Sequence, residues 1–319
     1  MHPDKSPGPD GMNLTFYEMF WHIVGGDVTA ACLSFIDTCE FLVGLNATAI
    51  VLIPKKSQPE YLTDLRPIAL CNILYKIVAK MLANRMKSVL SSIISENQSA
   101  FVPGRAIIDN ILTSAEIMHY LKRERQGKTW TAALKIDMSK VCDRIEWGYL
   151  KTMVLKLGFA ERWVKLILLC VSTVTYKVLR GNEEVGPIVP SRGLSQGDPL
   201  SPYLFIICAE GLSLLLRKHE RAGLMHGVRL ARGAPIVTHL FFADDRFLFF
   251  KANAQEARII KQSLAIYGVA SGQVVNYNKS SISFSANVSA AATQQVCDIL
   301  KVAVSSNHGS YLGLPSSIG

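Results

Sequence analysis

Apolar residues return along this chain with two periods, and the switches between them mark its elements. Over residues 13–44 they fall at helical spacing, which predicts helices. Thr48 to Ile53 (TAIVLI) is β-branched and closed by Pro54, so it predicts a strand ending at Lys55 and Lys56. From Asn72 to Leu90 the apolar positions recur every three or four residues, an amphipathic helix with Lys76, Lys80, Arg85 and Lys87 outward. Thr131 to Ile136 predicts a second strand, followed by helices near 146–157 and 161–171. Val174 to Leu179 and Val185 to Val189, joined through Gly181-Asn182, predict a hairpin. Leu200 to Arg217 predicts a helix, with Asp198 as its N-cap and Pro199 at its first position. Val237 to Phe242 and Arg246 to Phe250 flank Ala243-Asp244-Asp245, a tight hairpin with two acids at its tip. A helix from about 255 to 268 and a strand from Val274 to Phe284 complete an alternating pattern. No internal repeat, low-complexity tract or linker interrupts it.

Composition narrows the class. With 319 residues, 49% of them hydrophobic and 18% charged, the chain can bury a large core, which excludes wholesale disorder. Lys and Arg number 34 against 25 Asp and Glu, a net +9 that favours a polyanionic partner, either nucleic acid or an acidic membrane surface. The most apolar stretch, Leu200 to Leu216, is broken by Pro202 and Glu210 and is short for a bilayer. The N-terminal MHPDKSPGPDGM is polar rather than a signal sequence. The expectation is therefore an intracellular protein, nuclear or cytoplasmic, without a membrane partner. Seven scattered cysteines with no CxxC pair argue against a disulfide framework and against zinc.

The candidate chemistry lies in carboxylates. Asp137 follows the strand Leu134-Lys135-Ile136, and Asp244-Asp245 sit at the tip of the later hairpin. Acids flanked by apolar strands are costly unless a cation neutralises them. A divalent metal is the simplest solution, because Mg²⁺ takes a few carboxylates together with water and substrate phosphate. Two such ions, about 3.5–4 Å apart, suit an in-line displacement at phosphorus. The bland alternative is an exposed turn, where Asp is common. Lys55, Lys56 and Arg66 read by themselves as ordinary solvated cations at a strand end and loop. Gln196-Gly197-Asp198-Pro199 reads as a loop before a helix. Phe241, Phe242, Phe247, Phe249 and Phe250 read as core rather than as stacking platforms.

Nine ordered blocks carry a resemblance. They are DKSPGPDG (4–11), AIVLIPKK (49–56), DLRPIALCNILYKIVAK (64–80), NQSAFVPGRAIIDNIL (97–112), LKIDMSKVCDRIEW (134–147), RGLSQGDPLSPYLF (192–205), HLFFADD (239–245), GQVVNYNKS (272–280) and YLGLPSSIG (311–319). The chain resembles the reverse transcriptases of LINE-type (non-LTR) retrotransposons, plant ones above all, over nearly its whole length. The resemblance implies an RNA-directed DNA polymerase that extends a DNA primer on an RNA template with dNTPs, using two Mg²⁺ ions, or Mn²⁺. It implies an α+β right-hand fold in which an antiparallel palm sheet is backed by helices. Fingers would span 1–130 with an inserted part near 158–195, the palm 131–157 and 196–319, and the sequence would stop where a thumb begins. By motif, Asp137, Asp244 and Asp245 are the implied catalytic metal ligands. Lys279 matches the lysine that protonates departing pyrophosphate. Lys55 and Arg66 fall where the incoming triphosphate is held, and Gln196 and Gly197 where nucleotide and template are lined. Asp143, the second acid of its block, reads as structural.

The chain also departs from that pattern. Cys142 replaces the aromatic that would gate the sugar 2′-hydroxyl, Ser195 replaces a frequent cation, and Arg246 replaces a small residue beside the acid pair. Arg246 would either compete with the metal for Asp245 or point to the opposite face of its strand. These departures leave a second reading open, a catalytically inactive RNA-binding remnant of such an element. Its oligomeric state is not legible.

Overall fold

The computed structural model describes residues 6–126, 130–181 and 183–305, and the backbone alone at 310–311 and 314–315. In chain order the elements are α1 (Leu14–Met19), α2 (Trp21–Thr38), β1 (Ala47–Pro54), β2 (Leu65–Cys71), α3 (Ile73–Ile93), α4 (Ile107–Arg123) and β3 (Thr131–Ile136). Then come β4 (Met138–Ser139), α5 (Trp147–Lys156), α6 (Glu161–Ser172), β5 (Thr175–Arg180), β6 (Glu183–Ile188) and α7 (Ser201–Arg221). The rest are β7 (His239–Phe242), β8 (Asp245–Lys251), α8 (Ala254–Ser271), β9 (Val274–Val275), β10 (Ser281–Phe284), α9 (Ala290–Leu300) and β11 (Ala303–Val304). They form two compact units, Met1–Ser88 with Cys142–Phe205, and Val89–Val141 with Ile206–Gly319.

The first unit is built on a four-stranded sheet in the order β2-β1-β5-β6. β1 and β2 are antiparallel from Thr48↔Cys71 to Pro54↔Leu65, while β1 and β5 run parallel. Pro67 explains why β2 escapes the hydrophobic pattern. A proline cannot donate to a ladder, but β2 is an edge strand, where one side of the backbone needs no partner. Asn46 ties β1 to the end of α6, donating to the Cys170 carbonyl at 3.0 Å and to Thr173 Oγ1 at 2.9 Å. The β5–β6 hairpin is present as expected, but Asn182 lies outside the described residues.

The second unit holds a five-stranded sheet in the order β11-β10-β3-β8-β7. One face of it, through Ala133, Leu240, Phe247 and Phe249, packs on Ile117, Met118 and Leu121 of α4. The other carries Leu248 and Phe250 against α8, whose Ile260, Leu264 and Tyr267 are buried. Four of the five phenylalanines around the acid pair are fully or nearly fully buried, and Phe242 is half-buried, so they are core.

Three expectations are corrected. Lys76 does not face outward. It is 8% exposed and acts on the buried Asp198 carboxylate, because a buried anion is tolerable only beside a cation. Asp198 does not cap the first turn of α7, which begins at Ser201. It accepts from the Leu200 amide at 2.8 Å and from the Tyr75 hydroxyl at 2.6 Å. The stretch 274–284 is not one strand. It divides into β9 and β10 around a polar turn, Asn276 to Ser280.

Candidate functional site

The register of two strands brings the acids together. β3 and β8 are antiparallel, and their last pair is Ile136↔Arg246. One residue further on, Asp137 follows Ile136 on one side and Asp245 precedes Arg246 on the other, so the two carboxylates share an end and a face. β7 and β8 close through the two-residue turn Ala243-Asp244, with Phe242↔Asp245 as the last ladder pair. Ala243 has φ +53°, the left-handed geometry that short hairpin turns demand. Asp244 is exposed at the tip and Asp245 is half-buried. Burial pushes the Asp245 carboxyl above its ordinary range, and the negative charges of Asp244 and Asp137 add to it, while Lys135 acts in the opposite direction. Lys135 lies two residues before Asp137 and therefore on the same strand face.

Strand alternation also settles the place of Arg246. As the neighbour of Asp245 it lies on the opposite face, fully buried, with its guanidinium carbon 5.4 Å from the Phe241 ring centre and 5.6 Å from that of Tyr267. Of the two orientations open from the sequence, the structure has the one turned away from the acids.

Asp137 is clamped by a segment far later in the chain, Asn276 to Ser280. Its amide donates to Ser280 Oγ at 3.1 Å and its carbonyl accepts from the Asn276 amide at 2.9 Å. Ser280 Oγ in turn donates to the Asn276 carbonyl at 2.8 Å. This turn carries Lys279, which is exposed. Asn276 and Ser280 went unremarked in the sequence because their work is done by backbone and hydroxyl, and such roles have no periodic signature. A second brace covers the free edge of β7. The Phe241 amide donates to the Asn97 carbonyl at 2.7 Å, and the Ser99 amide donates to the Phe241 carbonyl at 3.1 Å.

The remaining candidates lie in the first unit. Arg66 is exposed on β2 opposite Ile53. Lys55, just past β1, donates from Nζ to the Thr63 carbonyl at 2.9 Å, and Lys56 pairs with Asp64 at 2.9 Å. The Gln196 carbonyl accepts from the Ala69 amide at 2.8 Å, which fixes the Gln196-Gly197 loop on β2 three residues from Arg66. Gly197 has φ +108°, and a Cβ there would stand 3.0 Å from the Ala69 carbonyl oxygen, so an internal contact already demands glycine. Cys142 is half-buried, its carbonyl accepting from the Leu194 amide at 2.9 Å. Lys55, Arg66, Cys142, Gln196 and Gly197 thus belong to one backbone network, and Asp137, Asp244, Asp245 and Lys279 to another.

Among the described residues no three His, Cys, Asp or Glu side chains form a ready-made metal cage. The donor set nevertheless fits Mg²⁺, which is bound through one or two carboxylates plus water and substrate phosphates rather than by an all-protein shell. The fit rests on chemistry seen here: hard oxygen donors at one strand end and the adjoining hairpin tip, where burial first and neighbouring negative charge second raise Asp245.

Comparison with known proteins gives a consistent answer. The sequence model of a family described as "Reverse transcriptase (RNA-dependent DNA polymerase)" matches residues 53–315. The chain is 30% identical over 281 residues to the "Transposon TX1 uncharacterized 149 kDa protein" of Xenopus laevis, covering 88% of this chain and 21% of that protein. It is 27% identical over 205 residues to a "Retrovirus-related Pol polyprotein from type-1 retrotransposable element R2" of Popillia japonica, covering 64% of this chain and 27% of that one. The chain therefore spans about a fifth to a quarter of these relatives. In structure it is similar to telomerase from Candida tropicalis in complex with a fragment of telomeric RNA, with a TM-score of 0.53 and 13% identity over 82% of this chain and 45% of the telomerase. At that identity the likeness establishes the fold, that of right-hand polymerases.

Proposed function

Because the chain belongs to the reverse transcriptase family, in the branch of LINE-type (non-LTR) retrotransposons, we propose that it is the polymerising segment of such an element. It extends a DNA primer with dNTPs along an RNA template. The observation that carries this reading is the β3–β8 register, which sets Asp137 beside Asp245 next to the Asp244 tip.

Asp137, Asp244 and Asp245 would hold the divalent ions. Bound in pairs, Mg²⁺ supplies activation of the primer 3′-hydroxyl and stabilisation of the leaving pyrophosphate. The chain's own groups do the rest. Asp245, raised first by burial and then by like charge, is a carboxylate that gains from a cation. Lys279, on the turn that clamps Asp137, gives its proton to the departing pyrophosphate. Lys55 and Arg66 hold the triphosphate, and the Gln196-Gly197 loop lines the nucleotide. Cys142 stands in the position of the sugar gate and, being small, leaves it open. In functional terms we assign fingers to 1–130 with the insertion near 158–195, and palm to 131–157 and 196–319. The net charge of +9 suits a nucleic-acid duplex. No helix among the described residues is long and apolar enough to cross a membrane.

The test is primer extension on an RNA template with dNTPs and Mg²⁺. Wild-type protein is expected to extend the primer, and Asp137→Asn to abolish extension. Salt-sensitive RNA binding without Mg²⁺-dependent synthesis by the wild type would replace this function with that of a binding remnant.

A further inference from the structure

The block NQSAFVPGR supplies more than an edge brace. Gln98, between Asn97 and Ser99, is 1% exposed, and its side chain turns toward the acidic hairpin. Its Oε1 accepts from the Ala100 amide at 2.9 Å and from the Ala243 amide at 3.2 Å. Two N–H donors at one end fix the orientation of the carboxamide, since the reverse orientation would set NH₂ against N–H. In a two-residue hairpin turn the amide of the first turn residue has no place in the ladder. Gln98 takes up that donor, one residue ahead of Asp244. Ala243 is also the strained position of the turn, with φ +53°.

Gln98 is itself held on every side. Its amide donates to the Ser95 carbonyl at 3.2 Å, and its carbonyl accepts from Arg105 Nη1. Its neighbours Asn97 and Ser99 are both paired to Phe241. Asn110 Nδ2 donates to the Phe241 carbonyl at 2.9 Å, and Asn97 Nδ2 to the His239 carbonyl at 2.8 Å. The acceptor offered to Ala243 is thus carried by a rigid segment rather than a loose loop. At its other end Gln98 Nε2 is buried without a hydrogen-bond partner among the described residues. A methionine of similar length would fill the same space without burying a donor, so the carboxamide is explained by what its oxygen does.

We infer that Gln98 is a positioning residue for the Asp244-Asp245 tip: its Oε1, bonded to the Ala243 amide, fixes the direction in which the turn presents both carboxylates. This rests on the proposed metal site, so its test includes a readout that needs no activity. One variant isolates the acceptor. Gln98→Met keeps length and removes the carboxamide oxygen without adding charge.

Amide hydrogen exchange resolved at residues 241–246 comes first. In the wild-type chain the Ala243 amide is expected to be protected as the Phe241 amide is. In Gln98→Met it is expected to exchange about tenfold faster or more, with β3 and β8 unchanged. Mn²⁺ titration follows, with affinity expected to fall about tenfold or more in Gln98→Met. Free exchange at Ala243 in the wild type overturns the inference even if a variant fails to fold. So does Gln98→Met with unaltered exchange and Mn²⁺ affinity. If the wild type binds no Mn²⁺, the metal site falls, while the exchange result still decides whether Gln98 sets the turn.

Discussion

The two networks of candidate residues are built on opposite principles. Asp137 and Asp245 gather like charge on one strand face with Asp244 at the adjoining hairpin tip, braced by Ser280, Asn276 and the segment 97–99. Lys55 and Arg66 are exposed cations on a β-hairpin, near a glycine loop fastened to the same strand. The first arrangement stores repulsion that a cation would relieve, and the second leaves its charges in solvent. The contrast teaches where binding energy would come from: the acids gain from a bound metal in their own right, whereas the cations gain only when an anion arrives.

The largest effect that would break this contrast is on the acids. Asp245→Asn is expected to lower primer extension by on the order of 10³-fold, the loss of several kcal/mol of transition-state stabilisation. Its thermal stability should hold or rise, because the substitution removes repulsion. A matching loss of stability would make Asp245 a structural residue. Next comes the face behind the acids. Arg246→Ser is expected to destabilise the fold by about 2–4 kcal/mol through lost buried volume, read by denaturant unfolding. Extension per folded molecule should be unchanged, because Arg246 faces Phe241 and Tyr267; a rise in activity would mean that it competes for the acids.

How much of this was legible follows from the same residues. The acids, their strands and the phenylalanine core were readable because alternation and motif order are written in side-chain type. The side chosen by Arg246 was not, since a hairpin tip suspends the alternation rule until the register is known. Lys76 misled for a related reason: its position on α3 looked solvent-facing, but Asp198, 122 residues away, draws it inward. β2 was hidden by Pro67, and the braces at Ser280, Asn276 and Gln98 by their use of single polar atoms.

Smaller effects sharpen the picture. Behind the hairpin, Glu210 accepts from the Ser95 amide and hydroxyl, and Ser95 meets Ser213, which meets His239. Burial pushes Glu210 up to about 7 and His239 down to about 3. A raised carboxylate contributes stability that is complete below its unfolded value and lost as pH rises through the folded one. Glu210 therefore costs up to about 3 kcal/mol between pH 4.5 and about 7. Glu210→Gln should be more stable than wild type above pH 7 and equal to it near pH 4.5, as urea unfolding across that range would show. His239 acts the other way, its share being lost as pH falls below 6.5. The smallest expected effect is at the sugar gate, where Cys142→Tyr should raise discrimination against ribonucleotides about tenfold, or roughly 1.4 kcal/mol. An unchanged dNTP to rNTP ratio would remove Cys142 from the nucleotide site.

The convergence of Asp137 with the hairpin acids is tested most directly by equilibrium Mn²⁺ binding to wild type, Asp137→Asn and Asp143→Asn. The account predicts that Asp137→Asn binds about tenfold more weakly or worse, with Asp143→Asn like wild type. Equal affinity in wild type and Asp137→Asn would contradict it.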